Sequence, residues 1–177
     1  MFRKKTVLSL SEAKGMVIRM NILENNPFKE KLARGEIAYG FQMQTHSPAI
    51  AEAVGFCEFD WLYIDTEHSI GDDSAVENTA RAAIAGGIVP VLRIPTHDAG
   101  RIGQFLDMGI AGLIFPHVDT PEQAKAIVKA GKSPPLGERG AAFGTLAARY
   151  GMIKNYAEYV KRANENVSLI ADSPTFQ

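Results

Sequence analysis

The chain is poor in the features that would define several protein classes. Its only cysteine is Cys57, so neither a disulfide framework nor a thiolate zinc cluster is available. That usage fits a reducing compartment, and a cytoplasmic location is the expectation. Long apolar runs are also missing, because charges or glycine interrupt each one well short of the roughly 18 residues a membrane span needs. At the N-terminus, Arg3, Lys4 and Lys5 precede only Val7-Leu8-Ser9-Leu10 before Ser11-Glu12 follows. This is too short for the apolar core of a secretory signal. Finally, there is no excess of either charge: 19 Lys and Arg against 20 Asp and Glu give a formal net charge of -1. No global field draws the protein to nucleic acid or anionic lipid, and its basic residues are not interleaved with aromatics. Small-molecule partners fit this balance better.

What is present is ordinary globular composition, 46% hydrophobic and 22% charged over 177 residues, enough for one core and too little for a second independent one. Residues 1–19 carry no clear period, and residues 1–27 read as a flexible N-terminal extension with no assigned function. From Glu36 onward, short apolar runs alternate with amphipathic stretches. The runs predict strands at Ile37–Met43, Phe59–Ile64, Val89–Arg93, Leu113–Pro116 and Val167–Ala171. The stretches between predict helices at Pro48–Val54, Asp73–Ala85, Ala99–Met108, Pro121–Ala130 and Asn155–Asn164. Thr120 followed by Pro121 has the form of a helix N-cap and first position. Gly55, Gly86, Gly109 and Gly131 follow four of the helices, where left-handed caps are expected. Strand starts lie 22, 30 and 24 residues apart, which suits successive βα units of a parallel sheet. A complete eightfold barrel usually needs about 200 residues or more, so periodicity leaves a partial barrel and an open doubly wound sheet equally open.

In either architecture, reactive groups collect where strands end. Asp65-Thr66-Glu67-His68 follows the apolar run Trp61-Leu62-Tyr63-Ile64 and places two carboxylates and an imidazole in four residues, a set able to tune a general base. The plainer reading makes Asp65 a turn cap and His68 a surface residue. Arg93 ends the third strand, where a guanidinium suits bidentate recognition of a carboxylate; a salt bridge to Asp65 or Glu67 is the structural alternative. Asp107 falls late in a helix, where the dipole disfavours an anion and a compensating cation is expected; simple solvent exposure is its alternative. His117 ends the fourth strand. His46, in the loop after the first strand, reads as a turn or cap residue with substrate contact as its alternative, and Thr96-His97-Asp98 reads as a helix start. Gly137-Glu138-Arg139-Gly140 lacks the lysine and spacing of a P-loop and reads as a loop that shapes the pocket with Arg139.

Four ordered motifs carry a resemblance: Phe59-Asp60-Trp61-Leu62-Tyr63-Ile64-Asp65-Thr66-Glu67-His68; Pro90-Val91-Leu92-Arg93; Leu106-Asp107-Met108-Gly109; and Ser133-Pro134-Pro135-Leu136-Gly137-Glu138-Arg139-Gly140. From about Phe28 to Ile170 the chain resembles the HpcH/HpaI aldolase and citrate lyase family of metal-dependent 2-keto-3-deoxy sugar acid and 4-hydroxy-2-oxoheptanedioate aldolases. The resemblance implies a (β/α)8 TIM-barrel fold, of which residues 28–171 would form about five βα units, with 172–177 a divergent tail. It implies His68 as catalytic base, Arg93 as the residue that holds pyruvate and stabilises its enolate, and Asp107 as the carboxylate that raises the basicity of the histidine. Asp65, Glu67, Arg139 and His117 would support the site. The implied chemistry is reversible cleavage of a 4-hydroxy-2-oxo acid to pyruvate and an aldehyde, with Mg²⁺ or Mn²⁺ as Lewis acid.

The resemblance fails at the metal site. The family's first metal-binding glutamate falls by offset on Pro174, and its later aspartate has no counterpart, so no metal ligand is identifiable. Asp172 would substitute only after backbone rearrangement. The sequence thus reads as cut or shifted in frame within the fifth strand, and a sheet unable to close is expected to self-associate as a homo-oligomer. Two functions stay open: an aldolase impaired by truncation, and a non-catalytic βα module that binds a small carboxylate through Arg93 or serves assembly.

Overall fold

A computed structural model of the chain describes residues 25–172, so the extension up to Glu24 and the position of Pro174 lie outside the described residues. The elements run α1 Pro27–Ala33, β1 Gly40–Met43, α2 Pro48–Gly55, β2 Trp61–Asp65, α3 Asp73–Gly86, β3 Val89–Arg93, α4 Ala99–Asp107, β4 Gly112–Pro116, α5 Pro121–Gly131, a 3-10 turn Arg149–Gly151, α6 Tyr156–Asn166 and β5 Ser168–Asp172. Capping explains most helix starts. Ser47, Asp72, Asp98, Thr120 and Asn155 each accept a backbone N–H through the side chain, and Thr120 forms a reciprocal capping box with Gln123.

All strand pairs are parallel and the order is β1-β2-β3-β4-β5. This decides between the two architectures left open by periodicity. A doubly wound sheet reverses its strand order at a switch point, whereas successive strands added on one side form the wall of a barrel. Alternation along the strands sorts the core into two layers. Leu62, Ile64, Leu92, Leu113 and Phe115 belong to a large cluster with helix residues such as Val76, Ile102, Phe105 and Ile127. Trp61, Tyr63, Val91, Ile114 and Ile170 belong to a second, inner cluster.

Phe28 of α1 joins that inner cluster and lies 5.1 Å, centroid to centroid, from Trp61. Asn26 is buried and caps α1, and its amide also donates to the carbonyls of Ala111 and Asn166. The folded region therefore reaches past Phe28 into the residues expected to be an extension. Lys29 donates to the carbonyl of Glu165, and Lys132 donates to those of Asn164 and Val167. Three side chains from two distant segments thus satisfy the open carbonyls at the C-terminus of α6. Burial, then repulsion from Lys29 and Arg139, pulls the Lys132 ammonium down to about 8.

Two sequence expectations shift. The first strand begins at Gly40 rather than Ile37, because Ile37 and Tyr39 are exposed and the Tyr39 N–H donates to the Asp60 carboxylate instead of a strand neighbour. Of the four glycines expected to adopt left-handed caps, only Gly109 has positive φ, and the cap of α3 is Gly87. Gly55 and Gly86 serve close approach instead: a Cβ on Gly86 would sit 2.6 Å from the Glu52 carbonyl oxygen, and one on Gly55 2.5 Å from that of Gly86. Gly86→Ala is accordingly expected to cost about 1–3 kcal/mol by forcing α2 and α3 apart. Gly103→Ala in α4, with nothing within 4 Å of the added carbon, is expected to gain about 0.5–1 kcal/mol. Urea unfolding of both variants checks the contrast.

Candidate functional site

The site is built on the C-terminal edge of β2. Asp65 ends that strand opposite Arg93, its Cα partner on β3, and the Asp65 side chain has no solvent exposure. A buried carboxylate is stable only when its oxygens are satisfied. Here Oδ1 accepts from Arg93 Nε at 3.1 Å, from the Glu67 N–H at 3.0 Å and from the His68 N–H at 3.2 Å, while Oδ2 accepts from Arg93 Nη2 at 2.5 Å. Burial alone would raise the Asp65 pKa. The Arg93 guanidinium and the two N–H donors outweigh it and hold the carboxyl at about 2. Thr66 locks the same edge, its hydroxyl and its N–H both donating to the Arg93 carbonyl, at 2.6 and 3.1 Å.

Glu67 extends the network. Its carboxylate lies 3.2 Å from Arg93 Nε, 3.8 Å from His68 Nε2 and 3.8 Å from His117 Nε2. His117 arrives from the end of β4 with a left-handed φ of 59°, a conformation that costs a non-glycine residue energy and that recurs at functional strand ends. The His68 and His117 side chains are both largely exposed, whereas Arg93 and Glu67 are mostly covered. The Arg93 guanidinium carbon lies 5.5 Å from the centre of the Tyr63 ring. Burial pushes the Tyr63 phenol up, Arg93 opposes it, and the carboxylates of Asp65, Asp172 and Glu67 add to the rise. The result is an ordered ion network beneath two accessible imidazoles.

Asp65, Glu67, His68, Arg93 and His117 therefore converge, and the salt bridges weighed for Arg93 from sequence are both formed. Asp107 and Arg139 do not join them. Asp107 ends α4 and accepts from Arg139 Nη2 at 2.6 Å, which supplies the cation its place near a helix C-terminus calls for. The pair lines a cleft of about 790 Å³ with His97, Gln104 and Lys129, between α4, α5 and the segment after Glu138. The carboxylate beside His68 is Glu67; no hydrogen bond or ion pair joins His68 to Asp107 among the described residues. The reason is positional: His68 follows a strand, whereas Asp107 ends a helix in the outer layer. Asp98 caps α4, as the helix-start reading of Thr96-His97-Asp98 requires, and His97 Nε2 bonds the Pro116 carbonyl at 2.9 Å.

Sequence reasoning passed over Tyr63 and Thr66. Tyr63 carries a signal, since two-residue alternation places it on the same face as Asp65. No group of three or more His, Cys, Asp or Glu side chains among the described residues is arranged to hold a metal ion. Asp65 and Glu67 are instead committed to Arg93.

A singly wound parallel sheet with carboxylates, imidazoles and a guanidinium at its C-terminal edge is the wall of a barrel with polar groups gathered at the strand ends. Residues 38–172 match the family model of the HpcH/HpaI aldolase/citrate lyase family, and the chain belongs to that family. It is similar to the hydroxypyruvate/pyruvate aldolase of Deinococcus radiodurans, with 38% identity over 146 residues, covering 82% of this chain and 52% of that protein. It is 37% identical over 152 residues to the 2-keto-3-deoxy-L-rhamnonate aldolase of Escherichia coli K12, covering 85% of this chain and 56% of the relative. Among solved structures, an HpcH/HpaI aldolase/citrate lyase family protein from Burkholderia cenocepacia J2315 superposes with a TM-score of 0.75 at 34% identity, over 83% of this chain and 59% of the other. The chain spans about half the length of the curated relatives it matches.

The Asp65 pKa makes the site a contributor to acid stability. The folded value of about 2 lies below the unfolded carboxyl near about 4, so the unfolded chain binds the extra proton across that window. Stability from this group is complete above about pH 4 and is lost as pH falls through about 2. Asp65→Asn is expected to flatten the rise of stability between those values, measured by urea midpoints from pH 2 to 5.

Proposed function

We propose that this chain is the base-bearing and carboxylate-binding part of a pyruvate-type class II aldolase, a carbon–carbon lyase that reversibly cleaves a 4-hydroxy-2-oxo acid to pyruvate, or a close 2-oxo acid, and an aldehyde. The observation that carries this reading is the Asp65–Arg93–Glu67 network placed directly under the accessible His68. With Nε and Nη2 held by Asp65 and Glu67, Arg93 is fixed in orientation, and Nη1 is the nitrogen left for a bound carboxylate or enolate oxygen. His68 takes the proton of the 4-hydroxyl; the C3–C4 bond breaks, its electron pair forms the enolate, and the aldehyde leaves. Glu67 stabilises the imidazolium so produced, the part the family resemblance gave to Asp107.

The family implies Mg²⁺ or Mn²⁺, which would supply Lewis-acid stabilisation of the enolate. The described residues do not fit a ligand set for it, since Asp65 and Glu67 are both bonded to Arg93 and no three His, Cys, Asp or Glu side chains among them are grouped to hold an ion. That misfit supports the second reading, a module that binds a small carboxylate through Arg93 without turnover. The partly exposed inner residues Trp61, Tyr63 and Ile170 support a homo-oligomer in either case. A cytoplasmic location fits the lone cysteine; no helix among the described residues is long and apolar enough to cross a membrane.

Exchange of pyruvate methyl protons with deuterated water, followed by NMR with and without Mn²⁺, separates the two readings. The aldolase reading expects metal-stimulated exchange that drops at least about 100-fold in His68→Ala. Absence of exchange in the folded protein, together with pyruvate binding that Arg93→Met weakens about tenfold or more, selects the binding module.

A further inference from the structure

The segment from Thr66 to Asp72 carries Glu67 and His68, yet it has little apolar anchorage of its own: Ile70 at its tip is fully exposed. Asp65 Oδ1 secures its first half through the Glu67 and His68 N–H groups. Its second half leans on a residue from a different loop. The Ser69 hydroxyl donates to the Asp65 carbonyl and accepts from His46 Nε2 at 2.9 Å. Because the single hydroxyl proton is committed to a carbonyl that can only accept, the imidazole must be the donor, which fixes the tautomer with the proton on Nε2. Gly71 lies flat against the same ring; a Cβ there would stand 2.3 Å from His46 Cδ2 and 2.5 Å from Nε2. His46 is itself held, since the Ser47 N–H donates to the Thr45 carbonyl across it at 2.8 Å, and Ser47 caps α2.

We propose that His46 is a positioning residue: through Ser69 and Gly71 it sets the β2–α3 loop, and so the place of Glu67 and His68 above the Arg93 network. This deepens the aldolase reading and rests on it for its catalytic meaning. The geometry explains the composition at each position: a donor ring at 46, a hydroxyl at 69 that relays to the strand backbone, and no side chain at 71. Burial of Nδ1 without a partner is consistent with this tautomer, since that nitrogen then carries no proton in need of an acceptor.

Amide hydrogen exchange by NMR on the full chain tests the inference. In His46→Phe, which keeps the ring and removes the donor, the Glu67 and His68 amides are expected to exchange at least about tenfold faster, the scale of one lost hydrogen bond, with Leu92 and Phe115 unchanged. His46→Gln, whose amide nitrogen reaches the place of Nε2, is expected to restore protection to within about threefold. Ser69→Ala is expected to reproduce the loss without adding to it in the double variant. Unchanged loop protection in His46→Phe, equal behaviour of the Phe and Gln variants, or loss spread evenly over the sheet overturns the proposal. Failure of the wild type to exchange pyruvate protons, with this amide pattern intact, overturns the aldolase reading and leaves the role of His46 standing.

Discussion

A carboxylate with no exposure to water must be compensated fully or it unfolds what surrounds it, and Asp65 is compensated from two directions. Arg93 joins it from the neighbouring strand and the N–H groups of Glu67 and His68 from its own loop. The same bonds therefore align β2 with β3, curl the chain back over the strand edge and fix the orientation of the guanidinium. Removing one partner of such a pair costs about 3–5 kcal/mol because the other charge stays buried. Folding and ligand recognition consequently draw on the same few atoms. Arg93 can present a fixed nitrogen because Asp65 holds the other two, and His68 stands over the network because its backbone is tied to the same carboxylate.

Much of this was legible in the sequence because the controlling forces are local. The strands from Val89, from Leu113 and from Val167 begin within about one residue of their observed starts, and the caps at Thr120 and Asp98 follow from side-chain chemistry that acts over three residues. Arg93 bridges both carboxylates weighed for it, and the cation demanded by Asp107 exists as Arg139. Register with Asp65 could be anticipated only after the strands were counted.

What escaped depends on contacts between distant segments. Ile37 and Tyr39 have strand composition, yet both stay exposed, so apolar character did not become pairing. Gly55 and Gly86 follow helical stretches in the manner of caps, but their glycines serve helix–helix contact, which no local pattern reveals. His46 and Ser69 lie 23 residues apart in chain and 2.9 Å apart in space. Neither residue type in its own loop distinguishes a support from an ordinary turn. Asp107 illustrates the limit of family resemblance in turn: the residue matches, while its partner within this chain is an arginine rather than the histidine.

The knot formed by Asn26, Lys29 and Lys132 at the end of α6 bears on how the chain is made. α1 is the first described helix to leave the ribosome, yet its amide and ammonium groups reach carbonyls of residues 165 and 166, about 140 positions later. Its aromatic anchor, Phe28, likewise rests on strands that emerge afterwards. The partners of α1 emerge in stages, Trp61 and Ala111 well before the carbonyls at the end of α6, so its docking is completed only when α6 arrives. The last contacts of α1 are therefore also among the last of the described fold to become available during synthesis.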